Sequence, residues 1–401
     1  MLKQDKILEA SSAHISSVEV SIIDYIQSHL QCIFLIFITI VGVAIRIPLR
    51  HHISGDAQYC LLPWYREILE FGIARQVGNY NLPYQFCIYL FTKLPIKPLY
   101  AYKALSCFFD FILAIVCGAI VYELTKKHTR GLMVYSCILI SPVVILNSAA
   151  WAQCDSIFVA FAMLGIYMLL KDKVAIAMLS FGFSLAFKLQ AVFFFPALII
   201  LYLLKRYSVL HTLLIPLTLF AVSLPMTLFG RNLMEVVAIY VNQTHTYPSM
   251  VMNYPSFYSV LRANNYAMYS KVAILLTIAI LGIQLFYIMY KRIEITKESM
   301  INLFFVTVYT CVLFLPSMHE RYGYPYEILA CILAIVKPKT ILLCIGLNLI
   351  TLRTYSAYLF GSRVDLTMLA FLNIIIYCVY IYILLKNPHT MSTRFRNDKV
   401  S

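Results

Sequence analysis

The sequence predicts an all-α integral membrane protein, a single polytopic domain over 1–401, on three observations. Of 401 residues, 61% are hydrophobic and 12% charged, whereas a soluble domain carries about 25% charged residues. Apolar stretches that suit a hydrocarbon core of about 30 Å recur from residue 30 to residue 385. Close basic pairs separate alternate stretches, the bias of cytoplasmic loops. The excess of 32 Lys and Arg over 18 Asp and Glu, a net charge of +14, is then explained by those loops and by anionic membrane lipid. No long basic run with interleaved aromatics stands outside the apolar stretches, so nucleic acid is set aside as a partner.

Most of the 11 cysteines lie inside apolar runs, among them Cys32, Cys107, Cys117, Cys137, Cys331, Cys344 and Cys378. None forms a Cys-x-x-Cys pair or a metal-like Cys/His spacing. They read as small core or lipid-facing residues, and neither a metal nor a cofactor is expected. The first thirty residues are polar, mixed in charge and without a cleavable signal pattern, so the first span is expected to act as its own anchor.

In chain order, residues 1–28 read as cytoplasmic and at best amphipathic. About 12 transmembrane helices are expected, near 30–48, 99–124, 132–147, 156–170, 174–187, 191–204, 209–228, 270–290, 300–316, 325–336, 340–352 and 365–385. The stretches 174–187 and 325–336 are short for a span. Residues 83–94 are shorter still and read as an interfacial helix within a first outer loop, 49–98. In that loop Pro63 suits the first turn of a helix, and Trp64, Tyr65, Ile68, Leu69 and Phe71 suit a face laid on the bilayer surface. With the N-terminus inside, the pairs Lys126-Lys127, Lys171 and Lys173, Lys205-Arg206, Lys291-Arg292, and Lys337 and Lys339 fall on the cytoplasmic side. Lys3, Lys6, Arg394, Arg396 and Lys399 join them, which puts both termini inside.

This topology gathers the mixed polar clusters on the outer face. Asp56 is the first carboxylate after the first span, behind a Ser54-Gly55 turn signal. Trp151-Ala-Gln-Cys-Asp155 supplies an aromatic ring, the Gln153 amide and a carboxylate, tools for stacking on a sugar and bonding its hydroxyls. The same residues also suit an interfacial tryptophan and a helix N-cap at Asp155. Lys188, in Phe187-Lys-Leu-Gln190, is a cation in an apolar stretch that calls for a phosphate or carboxylate partner, or else snorkels to the surface. In His319-Glu-Arg-Tyr322, Arg321 and a protonated His319 suit phosphate oxygens with Glu320 orienting them, or Glu320 and Arg321 form a surface ion pair. The outer segment 229–269 is rich in aromatics, such as Tyr240, Tyr247 and Tyr258, and suits closure over a lipid or glycan. Asn242-Gln-Thr244 matches a glycosylation acceptor. Asp110 lies two helical turns from Lys103, and the sequence assigns it no role.

Taken in order, Ser54-Gly-Asp56 with Leu62-Pro-Trp64, Tyr80-Asn-Leu-Pro-Tyr84, Trp151-Ala-Gln-Cys-Asp155, Phe187-Lys-Leu-Gln190 and Met318-His-Glu-Arg-Tyr322 resemble the GT-C superfamily of polytopic glycosyltransferases. Within it they are similar to bacterial relatives of the mannosyltransferase that adds the second mannose of GPI anchors. The resemblance covers about residues 30–325. It implies a GT-C-like helical bundle that transfers a hexose, mannose by the family's namesake, from a polyprenyl-phosphate donor. The acceptor would be a glycan or glycolipid on the outer face of a bacterial plasma membrane. It also implies an essential acid at Asp56, as general base or acceptor-positioning group. Trp151, Gln153, Asp155, Lys188, Gln190, His319, Glu320, Arg321 and Tyr322 then fall to substrate binding. Asp56 lacks the adjacent second acid of some GT-C branches, and with it a strong case for a metal. Ala152 stands where the Trp-x-Gln motif more usually has glycine, a departure expected to bear on how closely the backbone can approach a substrate. No Gly-rich phosphate loop is present, which agrees with a lipid-linked donor.

Two other classes fit the same composition. A transporter or flippase of lipid-linked saccharide would place charges on broken helices within repeated halves, and no internal repeat is visible. A polysaccharide polymerase or ligase would share the large outer segment and use a polymer-bearing lipid.

Overall fold

Backbone hydrogen bonding decides the architecture, because in lipid only a helix satisfies every N–H and C=O within its own segment. The computed structural model describes residues 16–386 and is 78% helical, with almost no sheet. Lys3, Lys6, Arg394, Arg396 and Lys399 lie outside the described residues.

The described residues up to Ala44 form one compact unit, comprising α1 (Ser17–Ser28) and most of α2 (Leu30–Arg46). A capping box opens α1: Ser16 Oγ accepts from the Glu19 N–H, and the Glu19 carboxylate accepts from the Ser16 N–H. The second unit begins at Ile45. After a 3-10 turn at Pro48–His51, a single π turn at Ala57–Leu61 runs directly into α3 (Leu62–Phe71), and α4 (Leu82–Phe91) follows. Next come α5 (Pro98–Thr125), α6 (His128–Leu139) and α7 (Pro142–Ile145), the last continuing into a second π turn at Leu146–Ala150. They are followed by α8 (Asp155–Leu170), α9 (Val174–Phe187), a 3-10 stretch at Leu189–Phe194, α10 (Phe195–Leu203), α11 (Leu214–Thr227) and α12 (Leu233–His245). The chain closes with β1 (Val251–Met252), α13 (Phe257–Leu261), α14 (Tyr266–Tyr290), α15 (Lys297–Phe314), β2 (Met318–His319), α16 (Tyr324–Val336), α17 (Ile341–Phe360) and α18 (Leu366–Lys386). β1 and β2 pair in parallel, with Val251 opposite Met318 and Met252 opposite His319.

Seven described helices are long and apolar enough to cross a membrane: Leu30–His51, α5, Val209–Thr227, α14, α15, Pro338–Phe360 and α18. The chain is a multi-pass membrane protein. The α6 helix and Pro142–Ala150 pass the same test together across a 45° bend, placed where Pro142 cannot donate a backbone bond. The apolar helices α8, α9, Leu189–Leu203 and α16 are shorter; the 16 residues of α8 extend about 24 Å. A helix does stand at 83–94, as α4 (Leu82–Phe91). The segment 229–269 carries structure of its own, since α12, β1 and α13 occupy it. The Tyr240 hydroxyl anchors it to the Leu185 and Ala186 carbonyls, and Gln243 Nε2 to Asn79 O and Asn81 Oδ1. The expected bilayer face of α3 divides as well: Tyr65 and Ile68 are buried, while Leu69 and Phe71 are exposed.

Helices in lipid gain little by burying apolar surface against one another, so close packing carries their association. Every residue of α15 from Ser299 to Phe314 is buried, whereas α14 exposes Leu275, Ile283 and Phe286, as a lipid-facing helix does. Two glycines allow near backbone contact. A Cβ on Gly131 would lie 2.9 Å from the Gly118 carbonyl, and one on Gly182 would lie 2.6 Å from Thr218 Cβ and 2.9 Å from the Ile215 carbonyl.

Buried charges are joined. Asp110, which the sequence left without a role, accepts from Arg46 Nε (3.0 Å) and Nη2 (2.8 Å) and from Ser148 Oγ (2.5 Å). Lys103 instead donates to the Leu49 and His52 carbonyls at 2.7 and 2.6 Å, holding the chain that leads to Asp56. Glu123 gathers Lys126, Lys297 and Lys171 at 2.6, 2.8 and 3.5 Å.

The glycine contacts carry a test. Gly182→Ala pushes a methyl group into a carbonyl that cannot yield, and such overpacking costs about 1–3 kcal/mol. Gly282→Ala meets nothing within 4 Å. In detergent, the thermal midpoint is expected to fall for the first variant and to hold or rise for the second.

Candidate functional site

The site is built around Asp56. Ser54 Oγ accepts from the Ala57 N–H (3.2 Å) and donates to the Trp151 carbonyl (2.9 Å), so the chain turns into a helix at once. Asp56 has helical angles (φ −60°, ψ −38°) and stands at the head of the first π turn. It is therefore not a solvated loop residue. The second π turn ends at Trp151, and such turns recur at functional sites.

Asp56 Oδ2 accepts from Trp151 Nε1 (2.9 Å) and Gln153 Nε2 (2.6 Å), and Oδ1 accepts from the Tyr358 hydroxyl. Tyr80 donates in turn to Gln153 Oε1 at 3.2 Å. This geometry changes the expected role of Trp151. Its ring is fully buried, stacked on Tyr358 (4.3 Å, 18°), edge-on to Tyr355 and 5.6 Å from the Arg321 guanidinium. It is neither a platform open to a sugar nor an interfacial belt residue. With Gln153 it holds the carboxylate in place. Ala152 between them has φ +67°, a left-handed conformation that costs a side chain of the L series roughly 1–2 kcal/mol. What Ala152 bears on is therefore backbone conformation rather than closeness of approach.

Asp155, the first residue of α8, caps nothing. It accepts from Lys188 Nζ and from Asn147 Nδ2 (2.9 Å). Lys188 stands at the break between α9 and the following 3-10 stretch in extended conformation (φ −155°) and is buried, so it does not snorkel; Asp155 takes up its charge. Arg321 Nε lies 3.7 Å from Asp155 Oδ2, and its Nη1 lies 4.0 Å from Asp56 Oδ2 and 3.9 Å from Glu320 Oε1. These separations are ionic contacts beyond hydrogen-bond length. Arg321 Nε, His319 Nε2, Glu320 Oε2 and Gln190 Oε1 are buried without a hydrogen-bond partner among the described residues. Glu320 is 1% exposed, so its pairing with Arg321 is not a surface contact.

The β1–β2 pair fixes the 319–322 turn, helped by Ser317 Oγ donating to the Tyr247 and Ser249 carbonyls at 2.9 and 2.8 Å. A cavity of ≈ 330 Å³ opens between these parts, bordered by Asp56, Lys188, Gln190, Arg321, Tyr322 and Tyr358. His319 and Glu320 also border it, whereas Trp151, Gln153 and Asp155 stand behind. Burial, aided by the Arg321 and Lys188 charges, pushes the His319 imidazole down to about 3, so it is neutral near pH 7 and adds no positive charge for a phosphate, as had been expected of it. Burial also raises the Glu320 carboxyl, against the pull of Arg321. No cluster of metal-ligating side chains occurs among the described residues.

Sequence reasoning missed Tyr358 and Asn147. Tyr355 and Tyr358, spaced three apart near the end of an apolar helix, were the available signal, since that spacing aims both at one neighbour. No protein-family model matches the chain, and no curated protein matches it.

The state of His319 has a measurable consequence. Its folded value lies below the ordinary value of about 6.5. Its contribution to stability is therefore complete above that pH and is lost as pH falls toward 3. The loss approaches about 1.4 kcal/mol per pH unit. Thermal midpoints in detergent between pH 7 and 4 are expected to fall less steeply for His319→Gln than for the parent chain.

Proposed function

We propose that this chain is a GT-C-type inverting glycosyltransferase. It moves a hexose such as mannose from a polyprenyl-phosphate donor to a glycan or glycolipid acceptor on the extracytoplasmic face of a bacterial plasma membrane. The observation that carries the reading is one cavity bordered by an oriented carboxylate, Asp56, with the Arg321 cation 4.0 Å from it. Inverting transfer asks for that combination: a proton acceptor beside the attacking hydroxyl and a cation where the phosphate leaves.

In the reaction, the acceptor oxygen forms a bond to the anomeric carbon of the sugar while the bond from that carbon to the phosphate oxygen breaks. The departing electron pair stays on the polyprenyl phosphate, facing Arg321. The acceptor's proton passes to the Asp56 side of the cavity. Lys188 acts at one remove, by neutralising Asp155 so that Arg321 is not drawn wholly to that carboxylate. Gln190, Tyr322, neutral His319 and the Glu320 carboxyl supply polar contacts for sugar hydroxyls.

A twelve-span topology with both termini cytoplasmic is part of the same proposal, and the side-chain contacts support it. Between Asp56 and Trp151 lie α5 and the bent α6–α7 pair; between Asp155 and Lys188 lie α8 and α9. Leu189–Leu203 and Val209–Thr227 separate Lys188 from Gln243, α14 and α15 separate Asn253 from His319, and α16 and α17 separate Tyr322 from Tyr358. Each step crosses two helices, so all the parts that border the cavity return to one face. The lysines on Glu123 obey the same rule for the other face: α6–α7 and α8 separate Glu123 from Lys171, and four further helices separate Lys171 from Lys297. On this reading the basic pairs of the sequence fall at that second face, which supports taking it as the cytoplasmic one.

The test is transfer from a panel of radiolabelled polyprenyl-phosphate hexoses in membranes holding the parent chain or Asp56→Asn at equal protein level. The parent is expected to transfer, and the variant to lose about 10²–10⁴-fold in rate. Equal transfer by both would remove Asp56 from the chemistry. No transfer from any donor would bring the transporter reading forward.

A further inference from the structure

The Asp56 carboxylate is not open on all sides, and what covers it bears on where the acceptor's proton first goes. Each carboxylate oxygen accepts through two lone-pair directions. At Oδ2 both are taken, by Trp151 Nε1 and Gln153 Nε2 at 2.9 and 2.6 Å. At Oδ1 one is taken by the Tyr358 hydroxyl. Tyr358 itself borders the cavity, and its ring is held by stacking on Trp151, which in turn bonds the same carboxylate. Swinging the hydroxyl aside would break both the stack and the hydrogen bond, so the two rings and the carboxylate keep one arrangement. Its oxygen also stands close above the backbone, since a Cβ on Gly55 would lie 3.3 Å from it.

A phenol hydroxyl that has given its one proton to a hydrogen bond can only accept from any further partner. Toward the cavity, then, Tyr358 Oη presents lone pairs, and the group it suits is another hydroxyl acting as donor. We propose that Tyr358 is a catalytic residue of the transferase reading, on which this inference rests, and that it receives the acceptor's proton and relays it to Asp56. As the acceptor oxygen bonds to the anomeric carbon and the polyprenyl phosphate leaves with the electron pair of the broken bond, the acceptor's proton moves to Tyr358 Oη. The proton Tyr358 held moves to Asp56 Oδ1. Tyr358 ends neutral, as it began, and Asp56 ends protonated. The acceptor subsite therefore lies on the Tyr358 side of the cavity, and the helix that builds it, α17, comes from beyond the five ordered motifs of the sequence.

The experiment compares the parent chain, Tyr358→Phe, Asp56→Asn and the double variant in the hexose-transfer assay, with rates measured across mixtures of light and heavy water. Phenylalanine keeps the stack on Trp151, and the tryptophan near-ultraviolet circular dichroism band reports that it does. The relay predicts a kcat loss of about 10²-fold or more in Tyr358→Phe with an unchanged KM for the donor. The dependence on deuterium fraction is expected to be quadratic in the parent, with two protons moving together, and linear in Tyr358→Phe. Because the two groups act in series, the double variant is expected to be no slower than Asp56→Asn alone. A parent that transfers with a linear dependence overturns the relay and leaves Tyr358 as a support for Asp56. So does a Tyr358→Phe variant that keeps full kcat. A parent that transfers from no donor overturns the transferase reading itself, and the relay with it.

Discussion

Asp56 is gripped by donors that lie 95, 97 and 302 positions away along the chain, and the site depends on that convergence. A carboxylate on its own turn of helix would move with the turn. Here Trp151 and Gln153 fix one oxygen, Tyr358 fixes the other, and Ser54 ties the start of the turn to the Trp151 backbone. The short distances to separate helices are possible only because the ends of those helices converge. The packing of the helices and the local chemistry are therefore one constraint.

The same economy governs the charges. An ionised group in an apolar interior is costly unless a partner and hydrogen bonds meet it, and two strongly buried pairs near the site are joined in this way: Arg46 with Asp110, and Lys188 with Asp155. Both pairs border the second π turn, through Ser148 on one side and Asn147 on the other. They set the position of Trp151, and so of Asp56, from behind. Arg321 differs. It sits 3.7 to 4.0 Å from three carboxylates, close enough to balance them and too far to be hydrogen-bonded to any.

Much of this was legible in the sequence. The apolar runs marked the helices because lipid leaves the backbone no other structure, and the polar clusters marked the cavity because polar groups at a membrane's face need a reason to be there. What could not be read was which polar group meets which. Trp151 suited a sugar platform by residue type, yet its indole N–H and ring face are both engaged by protein. Lys188 and Arg321 looked alike as cations until Asp155 was found bonded to one and merely near the other. Tyr358 is one of 30 tyrosines, and its partner is fixed by tertiary packing that no local pattern encodes. Ala152 looked like a small steric change because the sequence does not display a backbone angle.

The π turn at Ala57–Leu61 gives the segment a tolerance of a different kind. A π turn holds one residue more than the α turn it replaces, and each residue advances an α-helix by about 100°. Loss of one residue between Asp56 and Leu62 would let the turn close to ordinary winding with both its ends near their present orientation, so Asp56 would keep its side of the helix. The extra residue is thus the one length change that this segment absorbs without turning Asp56 from its partners.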